Sequence, residues 1–495
     1  MANPDRLSGL DAAFLELERG GAHMHVASVM TFEGPPPSYE ELFEAIGDRL
    51  HLVPRYRQKL ARVPLGLGRP VWVDDPSFNL LYHLRHTALP QPGSNAQLAA
   101  LAARIFASRL DRSKPLWEIY LVEGLEPAAD GAERFAVIAK THHALVDGIS
   151  GVDITAVLFS TAQDAAPVGP PASPWAPRPQ PTEGELVAGV IQDGLSDPLA
   201  PVRATSRMLR DPSRAVGRLA EKLEVTGSLL ISSTGAAPDT PLNRRIGSHR
   251  RYGWVNAPLD LFKEIKNGLE GTINDAVLTT VALGLGRWLR RRGVDTDGLV
   301  LRTMVPVSVR TTEEQGGLGN QVSALWAPLP VGESDPSIAF RAVRDAMGDL
   351  KSSDQALGAE TITEIAGFAP PTIASQAAKL QARQRLFNLT VTNVPGPQTP
   401  LYLVGRRMTA IYPVVPLSEK TALGVAVMSY CGRLCFGLLA DYDAMPDLGD
   451  VVEDFEAAMF ELALAAETTR QPTPVRERHL SQTAVTPGTV SYAEA

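Results

Sequence analysis

The sequence predicts a mixed α/β protein built in two lobes. Three observations carry this. The chain is 495 residues long, beyond the size at which one hydrophobic core usually stops growing. Strand-like and helix-like patterns alternate in both halves. Between them lies a Pro-, Ala- and Gly-rich stretch from about Gln163 to Pro181, a composition that forms neither regular sheet nor helix.

In the first part, alternating hydrophobics over residues 26–32 predict a strand. Ser38 and Glu41 stand in capping-box spacing before a helix with Leu42, Phe43, Ile46 and Leu50 on one side. Ser94 can cap a second helix whose face is Leu98, Leu101, Ala102 and Ile105, and residues 117–123 and 135–141 read as strands. After an irregular region around 232–241, a helix is expected over 274–289 and a strand over 299–305. Apolar segments 423–428 and 434–439 flank Tyr430-Cys431-Gly432-Arg433, a hairpin with glycine at its turn. Residues beyond about Gln471 are polar and expected to be disordered. The organisation is therefore 1–162, a Pro-rich and basic connection 163–237, a second unit 238–470 and a tail 471–495.

Composition narrows the function classes. Hydrophobic residues at 44% and charged residues at 21% suit a globular protein. A net charge of -8 argues against nucleic acid as the main partner, because phosphate binding requires a broad basic surface. No stretch approaches about 18 uninterrupted apolar residues, and the start shows no signal-peptide pattern, so a cytoplasmic location is expected. Cys431 and Cys435, without nearby histidines or a second cysteine pair, are read as reduced thiols rather than a metal site.

The apolar strand 135–141 runs directly into His142 and His143, followed by Asp147-Gly148. Strand-to-loop junctions place side chains on a rigid rim, and histidine, with an unperturbed pKa of about 6.5, suits proton transfer near neutral pH. By itself a His-His pair reads more readily as hydrogen-bonded core residues closing a strand. The spacing His142-His143-x-x-x-Asp147-Gly148, however, resembles the signature shared by chloramphenicol acetyltransferase, carnitine acyltransferases, peptide-synthetase condensation domains and bacterial wax ester synthase/diacylglycerol acyltransferases.

Further matches to the last of these families occur in its order along the chain. Leu7-Ser8-Gly9-Leu10-Asp11-Ala12-Ala13-Phe14-Leu15 with Met24-His25-Val26 is similar to the family opening, Pro115-Leu116-Trp117 to its proline-leucine-tryptophan element, and Asn274-Asp275 to its asparagine-aspartate motif. Val305-Pro306-Val307-Ser308-Val309-Arg310, Gly319-Asn320-Gln321 and the run from Asn388 to Pro397 resemble its C-terminal half. The resemblance implies two chloramphenicol-acetyltransferase-like domains with the histidine loop facing a tunnel between them. It implies transfer of a long-chain acyl group from acyl-CoA to diacylglycerol or a long-chain alcohol, with acyl-CoA as co-substrate and no cofactor.

Within that frame His143 is the expected proton acceptor and His142 a supporting residue. Asp147 invites comparison with a hydrolase triad, but the resemblance implies that it points away and shapes the loop through a salt bridge; its arginine partner is not legible. Gly148 permits a tight turn or close approach of substrate. Asn274 either caps the following helix or orients part of the site. Pro115 and Trp117 are read as strand-edge structure, and 393–397 as a rigid turn. Arg203, Arg207, Arg210, Arg214, Arg218 and Lys222 recur every three or four residues; they form either a solvated helix face or an interfacial surface for a membrane or lipid droplet. Three other functions stay open: acyl transfer to another lipid or polyketide hydroxyl, condensation-type amide formation, and an inactive lipid-binding scaffold.

Overall fold

The computed structural model describes residues 5–146, 158–166, 168–169, 173–196, 237–308, 322–352 and 386–469. In the first part, helix α1 (Gly9–Leu17) precedes strand β1 (His25–Glu33) and helix α2 (Tyr39–Arg49). The Ser38–Glu41 capping box forms in both directions, and Leu42, Ile46 and Leu50 are buried as the spacing predicts. A small ribbon of β2 (Gln58–Ala61) and β3 (Val71–Asp74) follows, then α3 (Leu80–His83), β4 (Leu84–Ala88), α4 (Asn95–Ala107), β5 (Trp117–Glu123), β6 (Arg134–His142) and α5 (His143–Val146). Ser94 caps α4, with Gln97 completing the box.

Helix α6 (Glu183–Ser196) lies in the connection. The Pro-rich segment before it has no helix or strand among its described residues. It is pinned to β3 by Arg178, whose backbone N–H and guanidinium both donate to Asp74. The second part supplies β7 (Arg250–Pro258), α7 (Leu259–Gly268), α8 (Ile273–Arg291), β8 (Leu301–Ser308), β9 (Val322–Leu329), α9 (Pro336–Ser352) and β10 (Leu389–Val394). After these come β11 (Tyr402–Leu403), β12 (Arg406–Val414), β13 (Leu423–Tyr430), β14 (Arg433–Asp441) and α10 (Leu448–Thr469). The predicted hairpin is β13–β14: Tyr430 pairs with Arg433, and Cys431 and Gly432 have φ of 42° and 75°, the double left-handed backbone of a two-residue hairpin loop.

Two six-stranded mixed sheets result, in the orders β11-β12-β1-β6-β5-β4 and β7-β14-β13-β10-β8-β9. Helix α8 is buried along nearly its whole length on the second sheet, beside α7, α9 and α10. Residues 406–414, inside the expected second unit 238–470, pair with the first sheet instead: Val29 lies opposite Tyr412 and Met30 opposite Ile411. On one face of the first sheet, Val29, Ala136 and Ile138 share a cluster with Ala102 and Phe106 of α4 and with Tyr252, Trp254, Cys435 and Leu439 of the second sheet. That cluster joins the lobes.

Several expectations change. Thr272, not Asn274, caps α8: its hydroxyl accepts from the Asp275 backbone at 3.2 Å and the Asp275 carboxylate returns a bond to the Thr272 N–H at 2.8 Å. Trp117 is not at a sheet edge, since β5 lies between β4 and β6, and its indole N–H donates to the buried Tyr56 carbonyl. Asn393 and Val394 close strand β10 rather than belonging to a turn. The basic stripe 203–222, the segments 309–310 and 319–321, and the tail 471–495 lie outside the described residues.

The backbones of the two lobes come into contact where β12 crosses β14. A Cβ at Gly437 would collide with the Pro413 carbonyl and crowd the Tyr252 hydroxyl, and that hydroxyl donates to the Tyr412 carbonyl at 2.9 Å. Gly437→Ala is expected to destabilise the protein by about 1–3 kcal/mol through overpacking of a site that cannot yield. Gly184→Ala, with nothing within 4 Å of the added carbon, should not. Denaturant midpoints of the two variants check this.

Candidate active site

Strand β6 is flanked on both sides, by β1 and by β5. Its side chains alternate between two buried faces, with Phe135, Val137 and Ala139 on one and Ala136 and Ile138 on the other. Pairing holds the chain to the last residue: the His142 N–H donates to the Leu116 carbonyl at 2.9 Å and the His143 N–H to the Met24 carbonyl at 2.8 Å. The pair His25–His142 is therefore a non-hydrogen-bonded position, where cross-strand side chains come closest.

The two adjacent histidines occupy different surroundings. His142 is 1% exposed. Its Nδ1 accepts the Ala144 N–H at 3.1 Å, which leaves the proton on Nε2 in the neutral ring. Burial first, then the Arg112 and His143 charges, lower its pKa to about 3. Nε2 lies 3.8 Å from a Glu18 oxygen. With His142 neutral this approach is no ion pair, and the Nε2 atom has no hydrogen-bond partner. Glu18 is instead held by Arg112, at 3.0 and 2.5 Å, and Arg112 also donates to the Leu15 carbonyl at 2.8 Å.

His143 opens α5 and is only partly buried. Its ring stacks on Phe14 of α1, with centroids 4.1 Å apart. Ala144 and Leu145 belong to the first-lobe core cluster that also takes in Tyr430 of β13, with Met428 and Cys431 packed against it. The turn after His143 is thus built into the same core as the second-lobe hairpin. Asp147 and Gly148 lie outside the described residues.

In the second lobe, the Asn393 side chain reaches the Asn274 side-chain oxygen at 3.5 Å, joining two motifs far apart in sequence. Nearby, the Ser429 hydroxyl accepts from the Gly396 N–H and from Gln398, each at 3.1 Å, and Gln398 accepts the Gly432 N–H at 3.0 Å. The asparagine-aspartate motif therefore divides its labour. Asp275 closes the cap of α8, while Asn274 meets the segment ending β10.

Sequence reasoning passed over several site-building residues. Lys140 is fully buried and donates to the Ile105 and Ser108 carbonyls at 3.2 and 3.1 Å, tying off the end of α4, and pairs with Glu118 at 3.0 Å. Burial still pushes its pKa down. A lysine inside an otherwise apolar strand was the available signal. Glu18 and Arg112 carried none, being ordinary charged residues 94 positions apart.

His23 and His83 have pKa values lowered to about 4, burial being the first cause in each, and His25 is held well below its ordinary value by burial. In every case the unfolded state, titrating near about 6.5, takes up its proton first as pH falls. Stability is thus unaffected above about pH 6.5 and is lost as pH falls below it, down to about pH 4 for His23 and His83, by up to about 1.4 kcal/mol per pH unit for each histidine. Denaturant midpoints at pH 7.5, 6 and 5 should fall; a constant midpoint would contradict the burial of these rings.

Comparison with known proteins matches the geometry to a family. Residues 7–277 match the model of the wax ester synthase/diacylglycerol acyltransferase catalytic domain, and 318–463 that of the WS/DGAT C-terminal domain. Proteins of Mycobacterium bovis and Mycobacterium tuberculosis named as diacylglycerol O-acyltransferases are 32% identical over 463 residues, covering 92% of this chain and 96% of theirs. The wax ester synthase/diacylglycerol acyltransferase of Marinobacter aquaeolei VT8 superposes with a TM-score of 0.64 at 24% identity, over 93% of this chain and 100% of that one. The trichothecene 15-O-acetyltransferase TRI3 of Fusarium sporotrichioides shares the fold at a TM-score of 0.56 and 12% identity, over 93% of this chain and 95% of that one. Built from two mixed sheets with a histidine pair ending a central strand of the first, the chain belongs to the wax ester synthase/diacylglycerol acyltransferase family.

Proposed function

We propose that the chain moves a long-chain fatty acyl group from acyl-CoA to the hydroxyl of diacylglycerol or of a long-chain alcohol, with His143 as general base. The observation that carries the reading is the contrast within the histidine pair. His142 is sealed and neutral with its Nδ1 occupied by a backbone N–H, whereas the His143 ring is partly open and its backbone is fixed by Met24. A proton acceptor needs that combination of access and rigid support.

In the reaction, the acceptor O–H gives its proton to His143 while the oxygen bonds to the thioester carbonyl carbon. The tetrahedral intermediate then expels the CoA sulfur, which takes the proton back from His143. Ester and free CoA leave, and alignment of the two substrates supplies much of the acceleration. No covalent acyl-enzyme is required, and acyl-CoA is the co-substrate rather than a bound cofactor. His142 supports the turn through the Ala144 N–H. Asn274, with Asn393, orients substrate, Asp147 shapes the loop, and Gly148 allows close approach.

His143→Ala should keep its circular dichroism and lose about 10²- to 10⁴-fold in CoA release. Purified protein given palmitoyl-CoA with a diacylglycerol and, separately, with a long-chain alcohol should yield triacylglycerol or wax ester by mass spectrometry. Free fatty acid alone, or no CoA release, would contradict the reading.

No described helix is long and apolar enough to cross a membrane. The proposed route to greasy substrates is peripheral binding, from the cytoplasm, to a membrane or lipid droplet through the basic residues between Arg203 and Lys222. Neutralising those six residues should abolish flotation with anionic vesicles; unchanged flotation would exclude the stripe.

A further inference from the structure

We propose that Phe14 supports the transfer step electrostatically: the face of its ring stabilises the positive charge that His143 acquires on taking the acceptor proton. The proposal rests on His143 as the base. The sequence shows Phe14 only as part of the opening motif, and nothing in the reaction described above uses it.

The geometry places the imidazole against the face of the Phe14 ring. The Phe14 and His143 rings are stacked with centroids 4.1 Å apart and planes inclined by 28°, within the reach of a cation–π contact; another stacked histidine pair, His83 and Trp117, stands at 4.5 Å. Two neutral rings stacked in this way gain only a modest interaction beyond the area they bury. A cation over the same face is attracted. A contact of this kind is thus stronger with an imidazolium than with a neutral imidazole. An interaction stronger in the charged intermediate than in the resting state lowers the barrier rather than merely tightening binding.

Phe14 is also held where it must be. Helix α1 is capped by the Ser8 hydroxyl, which accepts the Asp11 N–H at 3.0 Å. The carbonyl of Leu15, next to Phe14, takes a bond from Arg112 at 2.8 Å, and the same guanidinium grips Glu18. Leu15 is buried in the first-lobe core while Phe14 packs at the edge of the cluster between the lobes. These contacts hold α1 beside the turn that carries His143. The His83–Trp117 pair cannot act in the same way: His83 is buried, its Nδ1 is bonded to the Trp117 carbonyl at 2.8 Å, and its pKa is lowered to about 4, chiefly by burial.

Site-specific replacement of Phe14 by mono-, di- and trifluorophenylalanine drains charge from the ring face while keeping its shape. The readout is the single-turnover rate of CoA release from palmitoyl-CoA with a long-chain alcohol, beside the apparent affinity for palmitoyl-CoA and the thermal midpoint. The logarithm of the rate should fall with each fluorine, by about 10-fold in total, with affinity and midpoint unchanged. Phe14→Leu should lose a similar factor and Phe14→Trp should retain the rate. A flat fluorine series, with His143→Ala inactive, would show that the ring only packs and would overturn the proposal alone. Turnover by a folded His143→Ala would remove the base assignment itself, and this proposal with it.

Discussion

The histidine end of the first sheet hangs on one pairing, that of β12 with β1. Strand β1 is bonded on one side to β6, which carries His142, and on the other to β12. Held on both sides, it offers the Met24 carbonyl as a fixed acceptor for the His143 N–H. The crossing that brings β12 into place requires backbone to lie on backbone at Gly437 and Pro413. The Tyr252 hydroxyl then ties the second sheet to the Tyr412 carbonyl. Position of His143 and union of the lobes are therefore one structural fact.

Around this pairing lies a layer of polar groups that is costly to bury. A charged group taken out of water must find partners or give up its charge. The structure uses both solutions within a few residues. Lys140 meets two helix-end carbonyls and Glu118, while His142, His23 and His25 are held neutral. A neutral His142 can accept the Ala144 N–H; a protonated one could not. The turn that carries His143 thus depends on its neighbour staying neutral.

Local signals were legible and were borne out where they concern only nearby residues. The capping boxes at Ser38 and Ser94, the buried face Leu42, Ile46 and Leu50, and the two-residue hairpin turn at Cys431-Gly432 depend on atoms a few positions apart. The cap of α8 slipped by two residues because Thr272 and Asn274 both carry capping side chains, and only the backbone decides which stands before the first turn. Trp117 was misplaced for a different reason. Whether a strand is internal depends on its neighbours, and β4, the strand that covers β5, pairs through contacts no alternation encodes.

By itself the sequence determined the alternation of strands and helices, the two-lobed size and the placement of a histidine pair at the end of a buried strand. These follow from composition and from short-range periodicity, which a linear string records directly. The tertiary structure alone decided that β12 completes the first sheet, that Arg112 and Glu18 stand behind His142, that Asn393 meets Asn274 and that Phe14 lies under His143. Each joins residues roughly a hundred or more positions apart, and such pairings are set by how whole sheets and helices pack, which leaves no periodic trace in the chain.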